Sequence, residues 1–317
     1  MSDLQRLLGY REPIFNASMA GAAGGALAAA VSQAGGVGMI GSPAAPKTEW
    51  IEQQVQHVAS LSTPWGVGFM AWALEADLYP LEAFLDFGPS LVTLSFGDVS
   101  RAAALAHEAG VLTAMQVGNA ADLERAMADD IDIIIARGGE GGGHGRNEAG
   151  TLPLLQLATA QQQKPVIAAG GIGTARGVAA VLAAGASAAW VGTRFLVASE
   201  ATGHKNVKDA VQQAGLDDTT YTRAFDVAQQ LPWAPEFGGR ALRNEFSDTH
   251  ADLSTWAPDE QLRLEMQEAR AEARTSMAPV YAGEAVQFID SVQSAAEVMA
   301  ELAGFRKVLA DAASRFA

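Results

Sequence analysis

Three stretches of the chain carry residue types suited to chemistry. The first is Val166-Ile167-Ala168-Ala169-Gly170-Gly171-Ile172-Gly173-Thr174, an apolar run that enters glycines and then a helix-forming segment. Glycine lets a backbone approach a ligand closely, and a starting helix presents free N–H groups to an anion. Further on, Trp190-Val191-Gly192-Thr193-Arg194 repeats the theme. The chemistry both loops suggest is a phosphate cradle, the alternative being glycines that only make tight turns. The second stretch is Ala136-Arg137-Gly138-Gly139-Glu140-Gly141-Gly142-Gly143-His144-Gly145-Arg146, which reads as a flexible, exposed loop. His144 is one of five histidines. An imidazole with an ordinary pKa of about 6.5 suits proton abstraction near neutral pH. The bland reading of His144 is a loop histidine without catalytic work. His57 and His107 fall in expected helices, and nothing specific selects His204 or His250. The third group is Ala17-Ser18-Met19-Ala20-Gly21, Gly68 and Gln116, all at or near expected strand ends. There Gln116 is the most informative, because a buried amide needs partners.

Eight short apolar or β-branched runs must position these residues. Strands are expected at 13–18, 37–41, 66–72, 91–96, 112–117, 131–136, 165–169 and 188–195. Nearly continuous apolar runs such as Ile131-Asp132-Ile133-Ile134-Ile135 suit strands buried on both faces. Ala-rich stretches between them read as helices: 22–34 ending at Gly35-Gly36, 99–109 ending at Gly110, 120–128 capped by Asn119, and 174–184 ending at Gly185. Eight β-then-α units without a GxGxxG opening favour a (β/α)8 TIM barrel over a doubly wound sheet. In a barrel the strand ends face the catalytic mouth, and phosphate sites recur after strands 7 and 8.

The rhythm breaks after Phe195. The next helix fitting the barrel is 294–316, and the interval is too long for an ordinary connection. It holds a helical stretch at 259–276, with Leu262, Met266, Ala269 and Ala273 on one face, and the patch Leu231-Pro232-Trp233-Ala234-Pro235. The expected organisation is a barrel over 1–197 and 283–317, with a mostly helical cap over 198–282 that helps form the substrate pocket.

Composition bounds the function. At 49% hydrophobic and 18% charged, the chain is not a disordered, collagen-like or coiled-coil protein. A net charge of −15 disfavours nucleic acid and anionic membranes, and any anionic substrate needs a local positive site. With no cysteine there is no disulfide, thiolate metal site or cysteine nucleophile. Glu140 and His144 are four apart, but in a glycine run rather than a helix, so no metal is expected. No apolar leader or membrane span is read, which makes a cytoplasmic enzyme the expectation. A homodimer is the default assembly.

Together these residues resemble the nitronate monooxygenase family, once called 2-nitropropane dioxygenases. The match runs from Pro13-Ile14 through 29–38, Glu140-Gly141-Gly142-Gly143-His144-Gly145, Ala169-Gly170-Gly171-Ile172 and Val191-Gly192-Thr193-Arg194-Phe195 to Tyr281-Ala282-Gly283-Glu284. The resemblance implies an FMN-dependent barrel with the phosphate on Gly170, Gly171 and the Trp190–Thr193 turn. It implies flavin-ring contacts from Ala17, Ser18, Met19, Ala20, Gly68, Gln116, Arg137, Gly142 and Gly143. It implies that His144 is the catalytic base, that the substrates are an alkyl nitronate or nitroalkane and O2, and that the product is oxidised nitronate.

Three positions depart from the family pattern. The family usually has Gln at Arg137, often Asn at Gly68 and commonly Ala at Gly141. A fixed cation at Arg137 would favour a reduced, anionic flavin and attract a nitronate. The bland alternative is a salt bridge to Glu140 or to cap carboxylates. The same motifs also resemble FMN-dependent enoyl-acyl-carrier-protein reductases and NAD(P)H:quinone reductases. An NAD(P)H-dependent reductase of quinones or enoyl thioesters is therefore the second reading, and a non-catalytic flavin binder the third.

Overall fold

The computed structural model describes residues 2–161 and 163–316. Its strands, in chain order, are β1 (Ile14–Asn16), β2 (Gly38–Gly41), β3 (Trp65–Met70), β4 (Leu91–Ser95), β5 (Leu112–Val117) and β6 (Ile133–Arg137). They continue as β7 (Gly143–Gly145), β8 (Val166–Ala169), β9 (Ala188–Val191), β10 (Thr219–Thr222) and β11 (Gly238–Leu242). Eight of them form one parallel sheet in the order β1-β9-β8-β6-β5-β4-β3-β2. A parallel bridge between Phe15 and Val37 joins the first and last of these and completes the TIM barrel. Asn16 stitches the same seam. Its side-chain amide donates to Met39 O and accepts from Met39 N, both at 2.8 Å.

Strand parity decides what the barrel contains. Ile133 and Ile135 join the interior cluster with Phe15, Met39, Leu91, Ala114, Ile167 and Trp190. Ile134 and Ala136 instead pack against the surrounding helices. With a period of two, the next inward position of β6 is Arg137, and the same parity carries Ala17, Gly68, Gln116 and Trp190 to the top layer. The opposite end is plugged by the helix Asp3–Leu8, whose Leu4 and Leu8 are buried in the interior cluster.

Outside the barrel run helices Gly25–Gln33, Ser100–Glu108, Ala120–Ala128, Thr151–Ala160 and Ala175–Ala183. Asn119 and Thr174 cap theirs as N-caps, accepting from Asp122 N and Gly177 N. Among the described residues no helix is long and apolar enough to cross a membrane.

Several boundaries differ from expectation. The expected strand 188–195 stops at Val191, because Gly192 turns the chain and Thr193–Leu196 forms a helical turn. The expected helix 294–316 is two helices, Ala295–Leu302 and Phe305–Ser314, interrupted at Gly304, where glycine's weak helix propensity allows the break. The helix expected at 259–276 spans Glu260–Ala271 and is closed by Ala273 in the left-handed region (φ 51°).

The stretch 198–282, expected to be mostly helical, holds helices Lys205–Gln213, Ala224–Gln229, Glu245–Thr249 and Glu260–Ala271 joined by long irregular segments. It also contains the β10–β11 antiparallel pair, which the sequence did not announce. A helix and a proline-rich loop separate these two strands, so no tight-turn signal marks them. On its other edge β11 pairs with β7, giving a three-stranded sheet over the barrel mouth.

Candidate active site

The loop carrying His144 is not exposed, contrary to expectation, and part of it is paired as a strand. His144 is the middle residue of β7 and faces Gly239 of β11 in register. Its side chain is only 11% exposed. The glycines around it serve this packing. A Cβ at Gly142 would fall 2.5 Å from Gly283 N, so the two backbones cross where no side chain fits.

Arg137 holds the loop from beneath. It is buried, and its guanidinium donates to the carbonyls of Arg146 (3.0 Å), Gly141 (2.5 Å), Gly142 (3.3 Å) and Gly143 (3.0 Å). Among the described residues it makes no ion pair, which corrects the expected alternative of a salt bridge to Glu140 or the cap. Burial pulls its pKa down to about 10, so it remains a cation at neutral pH. Glu140 turns elsewhere. Its carboxylate accepts from Thr151 N (3.0 Å) and Thr151 Oγ1 (2.9 Å), capping the helix Thr151–Ala160.

The imidazole is fixed on three sides. His144 Nε2 lies 2.9 Å from Asp226 Oδ1, with the carboxylate side chain 3% exposed. The Tyr281 hydroxyl donates to the same oxygen at 3.3 Å. The Trp233 indole stacks on the imidazole at 3.7 Å and 5°, and Tyr281 lies against it at 5.0 Å. A carboxylate only accepts, so Nε2 carries a proton, and in the neutral imidazole the lone pair is on Nδ1. Burial, reinforced by the Asp226 charge, pushes the Tyr281 phenol well above its ordinary value. It stays a donor across neutral pH.

A cavity of about 700 Å³ opens over the barrel mouth. That is within the usual range of small-molecule sites, roughly 300–1,000 Å³. It brings together Ala17, Ser18, Met19, Ala20, Gly68, Gln116, Arg137, Gly142, Gly143, His144, Gly170, Gly171, Trp190, Gly192 and Thr193. Val191 stands apart: it is fully buried, and its carbonyl accepts from Ala17 N. The family's Asn has no room at Gly68, because a Cβ there would meet Ser18 Oγ at 2.2 Å. His57, His107, His204 and His250 are outside the cavity lining. His107 instead pairs with Asp132 and Asp130, and His204 caps Lys205–Gln213.

The glycine turns present backbone N–H groups. Gly170 (φ 110°) and Gly171 (φ 67°) occupy conformations that other residues rarely adopt. The amides of Gly171, Ile172 and Gly173, just before the helix Ala175–Ala183, have no acceptor among the described residues. On the facing turn, Thr193 Oγ1 accepts from Gly283 N at 2.9 Å, which docks the Tyr281–Glu284 segment beside it. No group of acids and histidines that could hold a metal ion occurs among the described residues.

Asp226, Trp233 and Tyr281 were not named as site residues from sequence. Asp226 lies 82 positions from His144, in an ordinary-looking stretch, and only folding pairs them. The weak signals were an acid inside Phe225-Asp226-Val227 and a tryptophan between two prolines.

A TIM barrel with an Asp-bound histidine and a glycine turn with unpaired amides at its mouth defines an enzyme scaffold of the barrel class. The nitronate monooxygenase family model matches residues 75–304, and the chain belongs to that family, which makes it an oxidoreductase. An octahydroindene-carboxyl-CoA dehydrogenase of Mycobacterium tuberculosis is 34% identical over 267 residues, covering 80% of this chain and 75% of the relative. FabK from Thermotoga maritima is similar in structure with a TM-score of 0.85 and 27% identity, over 99% of both chains. Nitroalkane oxidase from Streptomyces ansochromogenes gives a TM-score of 0.81 and 26% identity, over 100% of both chains.

Proposed function

We propose that the chain is an FMN-dependent oxidase of alkyl nitronates and nitroalkanes that uses O2, with His144 as its base. The observation that carries this reading is the buried His144–Asp226 pair at the wall of a cavity whose far side offers unpaired amides. The residues fit the cofactor. Gly170, Gly171, Gly192 and Thr193 would hold its phosphate; Ala17, Ser18, Met19, Ala20, Gly68, Gln116, Arg137, Gly142, Gly143 and Trp190 would surround its ring. FMN, when bound, supplies the electron acceptor for the substrate and the link to O2.

The chain's own residues do the rest. The nitro group acidifies its α-carbon, so one imidazole is an adequate base without a metal. The proton moves from the α-carbon to His144 Nδ1, leaving the nitronate. Asp226 holds Nε2–H and stabilises the imidazolium that forms. Trp233 and Tyr281 cover the imidazole and keep water from it.

His144→Ala tests the assignment. Turnover of the neutral nitroalkane should fall by about 10²- to 10⁴-fold with FMN still bound. A variant with full kcat shows that the base lies elsewhere.

A second reading is supported by the Mycobacterium tuberculosis relative, whose name specifies a CoA thioester. A thioester also acidifies its α-carbon, so the same histidine would serve oxidation or reduction of an acyl thioester. NAD(P)H, quinones and enoyl thioesters belong to this second reading. A cytoplasmic location and a homodimer accompany both.

A further inference from the structure

Besides Tyr281, four ionisable side chains line the cavity: Arg137, Glu140, His144 and Arg270. Three have committed partners. Arg137 serves the loop carbonyls, Glu140 serves Thr151, and His144 serves Asp226. Arg270 differs. It stands in the last turn of the helix Glu260–Ala271, and its Nη1 donates to Gln229 Oε1, a neutral acceptor. Gln229 is itself buried, and its amide donates to Phe225 O at 2.8 Å, so the oxygen that aims the guanidinium is fixed.

The acids beside it in sequence are used elsewhere. Glu268 and Glu272 flank Arg270 in sequence, yet both pair with Arg274, at 3.1 and 2.8 Å. Among the described residues no carboxylate pairs with Arg270. In a chain of net charge −15, a cation facing a cavity without a carboxylate partner is a departure from the general field. The left-handed Ala273 (φ 51°) ends the helix immediately after it and places Ala273 and Thr275 on the cavity wall as well.

We propose that Arg270 is the oxyanion receptor of this cavity and binds the paired oxygens of the nitronate. This rests on the nitronate reading above. A nitronate is planar with two oxygens on one nitrogen, and a guanidinium fork matches two such oxygens at once. The receptor supplies the local positive site that an anionic substrate needs against the protein's own charge.

The test uses the flavin-loaded enzyme and its Arg270→Gln and Arg270→Lys variants. Propionate, whose carboxylate also presents a planar oxygen pair, is titrated against tryptophan fluorescence. In parallel, KM and kcat are measured for propyl-1-nitronate and for neutral 1-nitropropane. Arg270→Gln should weaken propionate and raise KM for the nitronate by about 10- to 100-fold. For the preformed nitronate it should leave kcat within about threefold, the pattern of lost ground-state binding; for the neutral nitroalkane it should lower kcat instead, because there the oxygens gain their charge only as the proton leaves. Arg270→Lys should recover much of the affinity, because it keeps the charge.

An unchanged propionate Kd in Arg270→Gln overturns the proposal. Weakening seen with coenzyme A but not with propionate overturns it too, since the guanidinium then reads a carrier phosphate. The propionate titration needs no turnover. If wild-type enzyme leaves nitronates unoxidised while Arg270→Gln still loses propionate, the activity falls and the receptor stands.

Discussion

His144 Nε2 and Asp226 Oδ1 are 2.9 Å apart, brought together by a strand pairing between the glycine loop and the stretch inserted after β9. This pairing means that the base is completed by a segment far from it in sequence. Asp226→Asn keeps the shape but removes the acceptor-only group that fixes the tautomer. We expect kcat for the neutral nitroalkane to fall by about 10²- to 10⁴-fold. Flavin affinity should be unchanged, because Asp226 lies outside the cavity lining. Steady-state kinetics and a flavin titration check both halves. An Asn variant with normal kcat shows that the carboxylate is idle.

Arg137 acts first as a clamp. Arg137→Ala strips four carbonyls of a buried donor and should cost about 2–4 kcal/mol, read as a lower urea midpoint. Arg137→Gln, with two donors on one nitrogen, should recover part of this. The same Gln variant should lower the potential of the bound flavin if the cation also acts on the cofactor. An unchanged potential confines Arg137 to the loop.

The fold was legible where a local pattern decides it. Parity along Ile133-Ile134-Ile135 separates interior from exterior, and it sends Ala17, Gly68, Gln116 and Arg137 inward at the mouth. The glycine turns were legible because positive φ at Gly170 and Gly171 is a local demand. Asp226 and Arg270 were not legible, because each acquires its meaning from a partner supplied by another element. The partners of Arg137 were hidden for the same reason. Its charge suggests a carboxylate partner, whereas the folded loop supplies carbonyls.

Tyr281 gives a pH prediction. Its folded pKa is raised, so it favours the folded state while the phenol is protonated. That contribution is full below the unfolded value of about 10 and is lost as pH rises through the folded value. Wild type should therefore lose stability above pH of about 10 more steeply than Tyr281→Phe. Thermal melts of both proteins between neutral pH and about pH 11 read the difference. Parallel curves contradict the buried hydrogen bond to Asp226.

Gly170→Ala tests the anion turn. Its φ of 110° strains any L side chain, and a Cβ would meet Thr151 Oγ1 at 2.5 Å. Destabilisation of about 1–3 kcal/mol and weakened FMN binding are expected. Unaltered affinity for both FMN and inorganic phosphate removes this turn from the site.

The most direct test of the central claim is anaerobic absorbance of the flavin-loaded protein. An alkyl nitronate is added to one sample, and NADH or NADPH to another. The nitronate alone should bleach the flavin band, and in His144→Ala the rate should be strongly reduced when the neutral nitroalkane is used. Bleaching by a nicotinamide and none by the nitronate contradicts the claim.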